Sequence, residues 1–170
     1  MDDGPDFDLV AGAYAAYRTG FAEATVETIV SEAGPGASVL DVATGTGLLA
    51  DQLRPCVGRV VGADIAVRML RAALPPVVQA PAEQLPFRVA AFDAVTCAEA
   101  FHWLDRARAA AEFRRVVRPG GAILVLWKAA SRTEPYEPLA DRVLEDIVGA
   151  APRRTGGDVA ALGEIGRAHV

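Results

Sequence analysis

The chain has 170 residues, 52% of them hydrophobic and 23% charged, with a formal net charge of −5 at neutral pH. That length suits one domain with a sizeable core, and its scattered, acid-leaning charges form no basic stripe, which argues against nucleic acid as a partner. Cys56 and Cys97 make neither a CxxC pair nor an even framework, so no zinc ribbon or disulfide scaffold is expected and a reducing cytoplasm fits.

The N-terminus, MDDGPDFDLV, is acidic where a secretory signal is basic. No apolar run approaches the ~18 residues that span a bilayer, so neither export nor a membrane is expected. From Phe21 to Ala33, Val26, Ile29, Val30 and Ala33 recur at helical spacing before Gly34-Pro35, which predicts an amphipathic helix. SVLDVA then reads as a strand, and after a glycine turn Leu49 and Leu53 share a helical face closed by Pro55. The unit recurs: RVVGAD predicts a strand, and Val67, Leu70 and Leu74 predict a helix ended by Pro75-Pro76. VVQA is a third strand and FDAVTCA a fourth, followed by Asp105 as N-cap of a helix that turns Ala109, Phe113 and Val116 inward. RPGG stops that helix and AILVLW makes a fifth strand. Ala140, Val143, Leu144 and Ile147 predict one more helix after Tyr136.

Nearly continuous apolar strands alternating with helices imply burial on both faces and parallel pairing through crossovers. The fold class is therefore α/β, a doubly wound, Rossmann-like, mainly parallel sheet with helices on both faces. The last seven residues, EIGRAHV, show neither a helical nor a strand period. Back-translated as GAG ATC GGA AGA GCA CAC GTC, they resemble the start of a sequencing adapter read in frame. Residues 164–170 are accordingly expected to be a non-native tail, and the gene to continue beyond Gly163.

In open parallel sheets ligands bind at the carboxyl ends of the strands, beside the first strand. The turn Gly45-Thr46-Gly47 lies there. Its glycines admit positive φ and close approach, and the following helix begins with free N–H groups. The same letters satisfy the G-x-G-x-x-[G/A] pattern of dinucleotide enzymes, a weak signal alone; a bare strand-to-helix turn is the simplest alternative. Asp41, four residues before Gly45, would repel a pyrophosphate but accept from an ammonium, directly or through water. Asp64, ending the second strand, suits ribose hydroxyls of either an NAD-type or an adenosyl cofactor.

Five blocks, VLDVATGTGLLADQL, VVGADIAVRML, APAEQLPF, FDAVTCAEAFHWL and FRRVVRPGGAILVLW, resemble in order and spacing the class I S-adenosylmethionine-dependent methyltransferases, over about Val39 to Trp127. FDLVAGAYAAYRTGF and FHWL are similar to the small-molecule, methyltransferase-11-like branch that includes trans-aconitate methyltransferase-like proteins. The resemblance implies an S-adenosylmethionine-binding domain over residues 1–163, incomplete at its C-terminus. Asp41 and the backbone of Ala43, Thr44, Gly45, Thr46 and Gly47 would hold the methionine part. Asp64 would bind the ribose diol with Ile65 against the adenine, Ala82 and Glu83 would meet the adenine edge, and Ala98 and Glu99 would flank the methyl group. The family usually has glycine where Ala43 stands, often an acid at Pro81, and proline at Thr19. It adds two strands after the fifth, in the order 3-2-1-4-5-7-6. No equivalents are evident here, so AILVLW is expected to be a bare edge prone to self-association.

On the substrate side, His102 follows the fourth strand as the candidate catalytic base, with Trp103 as pocket wall or cation stack. Tyr14, Tyr17 and Arg18 lie on a segment that closes over the cofactor in the resembled family, where Arg18 suits a carboxylate. Trp127 reads as core, and Asp105 and Glu112 as helix cap and solvated face. No residue cluster has metal spacing. The expected function is methyl transfer from S-adenosylmethionine to a small-molecule acceptor bearing a carboxylate, hydroxyl or amine, with an NAD-type oxidoreductase or a non-catalytic cofactor-binding fragment as alternatives.

Overall fold

A computed structural model describes residues 20–127 and the backbone of Ile165–His169. In chain order the elements are α1 (Glu23–Ala33), β1 (Ser38–Val42), α2 (Leu48–Leu53), β2 (Arg59–Asp64), α3 (Val67–Leu70), β3 (Val77–Gln79), β4 (Phe92–Ala98), a 3₁₀ turn (Phe101–Trp103), α4 (Arg106–Val116), β5 (Val117–Leu126) and β6 (Ile165–His169). They form one sheet of order β3-β2-β1-β4-β5-β6, parallel through β5 and antiparallel at β6. Chain direction reverses its lateral travel beside β1, so the crevice above β1 and β4 is the switch point of a doubly wound sheet.

Alternation along the strands divides the interior in two. Leu40, Val42, Val95, Cys97, Ile123 and Val125 face Phe101, Ala109, Phe113 and Val116 on one side. Val39, Ala94, Ala122, Leu124 and Leu126 face Val26, Ile29, Leu49 and Leu53 on the other. Phe92, Phe101 and Phe113 are fully buried, each contributing about 1.5–3 kcal/mol of transfer free energy. Asp105 caps α4 by accepting from Arg108 N–H at 3.2 Å. Among the described residues no helix is long and apolar enough to cross a membrane.

Four expectations change. The segment from Val67 makes a single helical turn to Leu70, and Val67 and Leu74 are exposed while Met69 and Leu70 are buried. Because the helix stops, Leu74 leaves the 3.6-residue register that put it on the inner face. The RPGG segment ends α4 but belongs to β5, as a bulge: Phe92 pairs with Val117 and Ala94 with Ala122. Gly120 takes φ +77°, and a Cβ on Gly121 would stand 2.5 Å from the Asp93 carbonyl, so both glycines are required there. Glu112, expected on a solvated face, is partly buried and bonded to Leu85 and Arg115.

The fourth change concerns the sheet edge. Ile165–His169, expected to have no strand character, pairs antiparallel with β5 from Leu126↔Ile165 to Ala122↔His169. The edge expected to be bare is thus covered, in the place next to the fifth strand, and the premise of self-association through it falls. Main-chain groups make the ladder, so a segment without alternating side chains can still complete it. The helix expected after Tyr136 lies outside the described residues.

Candidate functional site

The site is built at the carboxyl ends of the three central strands. Asp41 ends up beside Thr96 in the β1–β4 register and beside Gly62 in the β1–β2 register. All but 2% of its surface is buried. Its two carboxylate oxygens accept from Thr44 Oγ1 at 2.6 Å and Thr96 Oγ1 at 2.7 Å. Burial pushes the carboxyl up to about 6 and the neighbouring Asp64 charge adds to this, while the two threonine hydroxyls pull it down. The residue read as a receiver for an incoming ammonium, directly or through water, thus also fastens the turn to β4 through a bond on each oxygen.

Thr44 and Thr96 are the partners that sequence reasoning passed over or named only for their backbone, and Gly62 is a third. A Cβ on Gly62 would lie 2.8 Å from Thr44 Cγ2, so the glycine in RVVGAD is the space that Thr44 occupies. The small residue inside an otherwise β-branched strand was the available signal.

From Thr44 the chain turns over the crevice. Thr44 N–H donates to the Ala63 carbonyl at 3.1 Å, and Gly45 N–H to Asp64 Oδ2 at 2.8 Å. Asp64 Oδ1 accepts from Ala66 N–H, also at 2.8 Å. One carboxylate thus joins the loops after β1 and β2. Ala43, Gly45 and Gly47 have φ of 54°, 58° and 84°. Ala43 accordingly sits in the left-handed conformation that glycine adopts with less strain. A Cβ on Gly45 would meet nothing within 4 Å, so the space beside it is open.

The walls follow from the neighbouring strand ends. Ile65, just past β2, is 67% exposed. Ala82 is buried in the core cluster, and Glu83 accepts from Asp105 N–H at 2.9 Å. Ala98 closes β4, and Glu99 takes φ 60° while its N–H donates to the Leu126 carbonyl at 2.8 Å. A non-glycine residue held in that region beside a crevice is a common mark of a functional site. His102 and Trp103 follow on the 3₁₀ turn, both exposed, with ring centroids 4.7 Å apart. Burial lowers the His102 pKa below its ordinary 6.5, and the Glu99 charge partly opposes this, which leaves a neutral imidazole at pH 7.

The electrostatics are uniformly acidic. Burial first, then the charges of Asp41, Asp64 and Glu83, push the Cys97 thiol well up, so it is a packed thiol and not a nucleophile. The Asp41–Gly47 turn contains no Lys or Arg. Such surroundings suit a cationic ligand better than a pyrophosphate. Trp127 is a core residue, as expected from sequence, and its Nε1 is buried without a hydrogen-bond partner among the described residues. Tyr14, Tyr17 and Arg18 lie outside the described residues.

Comparison with known proteins agrees with this geometry. A family model described as a methyltransferase domain matches residues 40–125. An uncharacterized methyltransferase of Mycobacterium bovis is 37% identical over 126 residues, covering 71% of this chain and 51% of that protein. A ubiquinone/menaquinone biosynthesis C-methyltransferase of Syntrophotalea carbinolica is 39% identical over 119 residues, covering 63% of this chain and 48% of that protein. The chain spans about half the length of these curated relatives. In fold it is similar to a SAM-dependent methyltransferase from Aquifex aeolicus, with TM-score 0.71 and 22% identity over 96% of this chain and 99% of that one. With half of its length matched by the family model, on the segment that builds the crevice, the chain belongs to the methyltransferase domain family.

Proposed function

We propose that the crevice binds S-adenosylmethionine and that the protein transfers its methyl group to a small-molecule acceptor. One observation carries the reading: an acid-lined turn, opened by positive φ at Ala43, Gly45 and Gly47 and tied through Gly45 to Asp64, beside an exposed Ile65. The open space at Gly45 fits a ligand approaching the backbone closely. Asp64, at the end of β2 beside the glycine turn, would receive the ribose hydroxyls, and Ile65 would cover one face of the adenine. The main chain of Ala43 to Gly47 would line the methionine part, with Glu99 close to the cationic sulfur end.

When bound, this cofactor supplies a methyl group on a positively charged sulfur. The protein's part is alignment and exclusion of water, because in-line displacement at such a centre needs little else. A carboxylate acceptor requires no base. For a hydroxyl, an amine or a ring carbon activated by a neighbouring hydroxyl, His102 is the nearby base, uncharged at neutral pH. The name of the relative from Syntrophotalea carbinolica adds quinol-like rings to the acceptors worth testing. Trp103, 54% exposed beside His102, offers a flat apolar surface for such a ring.

Calorimetric titration with S-adenosylhomocysteine and with NADH tests the cofactor. Binding of the first alone is expected; binding of NADH alone overturns the reading in favour of an oxidoreductase. Methyl transfer is then followed with labelled cofactor over carboxylate, hydroxyl, amine and quinol acceptors. Cofactor binding without transfer to any of them favours a cofactor-binding piece whose acceptor walls lie elsewhere in a longer protein, in keeping with the half-length match.

A further inference from the structure

Between β3 and β4, residues 80–91 contain no helix or strand, yet they carry Ala82 and Glu83. A coil of this length leaves main-chain donors and acceptors that need partners. Its head is tied to the ribose side of the crevice, where Ala80 N–H donates to the Asp64 carbonyl at 2.9 Å. Gln79 Nε2 adds a bond to the Ile65 carbonyl at 3.1 Å. Its tail is tied to the end of α4, where Ala90 N–H donates to the Arg115 carbonyl at 2.9 Å and Ala91 N–H to that of Val116 at 2.8 Å.

The middle is held by two side chains of α4. Arg115 donates from Nη1 to the Phe87 carbonyl at 2.7 Å and from Nη2 to the Leu85 carbonyl at 2.9 Å. Glu112 accepts from Leu85 N–H at 2.9 Å. The two side chains hold each other through both carboxylate oxygens at 2.7 Å. Three main-chain groups of the coil, the N–H and carbonyl of Leu85 and the carbonyl of Phe87, are thus fixed by one ion pair. A guanidinium can meet two carbonyls and a carboxylate together because its donors are arranged as a planar fork; an ammonium cannot.

We propose that Glu112 and Arg115 are positioning residues for base recognition: they hold the Ala82–Phe87 segment of the coil whose head is tied to Asp64 and Ile65, so that it meets the edge of the adenine. This rests on the S-adenosylmethionine reading of the crevice. Neither side chain needs to touch the ligand for this. They act through the carbonyls and N–H of Leu85 and Phe87, which lets a helix on one side of the sheet set selectivity at the mouth.

The test compares two ligands on the folded chain: S-adenosylhomocysteine, and S-inosylhomocysteine, in which an oxo group replaces the exocyclic amine. Wild type should prefer the adenine ligand. Arg115→Lys should lose about tenfold in affinity for it, the scale of one charge-assisted hydrogen bond, while its affinity for the inosine ligand stays within about twofold. Glu112→Gln keeps an acceptor for Leu85 N–H and so serves as the milder variant should Arg115→Lys fold poorly. Equal weakening of both ligands would show general damage to the crevice and overturn the inference, as would unchanged preference in a folded variant. A wild-type chain that binds neither ligand would instead refute the cofactor reading beneath it.

Discussion

Replacing Asp41 with asparagine isolates the cost of burying a carboxylate under the glycine turn. Burial raises its pKa from 3.8 to about 6, and each pKa unit corresponds to about 1.4 kcal/mol. Full ionisation in the folded protein therefore forfeits about 3 kcal/mol relative to the unfolded chain. The sign follows from proton binding. Because the folded state holds the proton more tightly, the stabilisation is complete below about pH 4 and is lost as pH rises through about 6. Asparagine stays neutral throughout. Its amide still accepts from one threonine and donates to the hydroxyl oxygen of the other, so any rearrangement adds an offset that does not vary with pH. Urea denaturation of both chains from about pH 4 to about pH 7.5 should show the variant gaining on wild type by up to about 3 kcal/mol. Parallel stability curves across that range would refute the burial argument.

Ala43→Gly should stabilise the protein by about 1 kcal/mol, because Ala43 is held at φ 54° where only glycine rests without strain; a melting temperature that does not rise would count against this. Gly62→Ala should destabilise by about 1–3 kcal/mol and weaken S-adenosylhomocysteine binding in calorimetry, since its Cβ meets Thr44 at 2.8 Å. His102→Ala should leave that binding intact and abolish turnover of hydroxyl or amine acceptors, whereas retained turnover would remove His102 from the chemistry. In wild type the acid limb of turnover should fall below pH 6.5, because burial lowers the His102 pKa from that value.

Hydrophobic period made β1, β2, β4, α1 and α4 legible in one dimension, because their inner faces are continuous apolar stripes. The glycine turn was equally plain, since its residue types are dictated by positive φ. What remained hidden depended on partners distant in sequence. Asp41 read beside its loop pointed to a ligand, and its bond to Thr96, set by strand register, left no sign there. Glu112 and Arg115 resembled any charged pair on a helix surface. Their partners lie 27 to 30 positions away, and no periodicity reports such bonds. The sixth strand was invisible for a related reason: it is held by main-chain pairing, which leaves no pattern in side-chain type.

Asp64 carries one more implication. Its two oxygens grip the loop after β1 through Gly45 and the start of α3 through Ala66, so the nucleoside and amino-acid halves of a ligand meet a shared hinge. Where holding one half settles this carboxylate for the other, thermodynamic reciprocity makes each raise the affinity of its counterpart equally. Adenosine and methionine offered as separate molecules would then bind this crevice cooperatively. The covalent link between them in the intact ligand would add to a coupling already present in the protein.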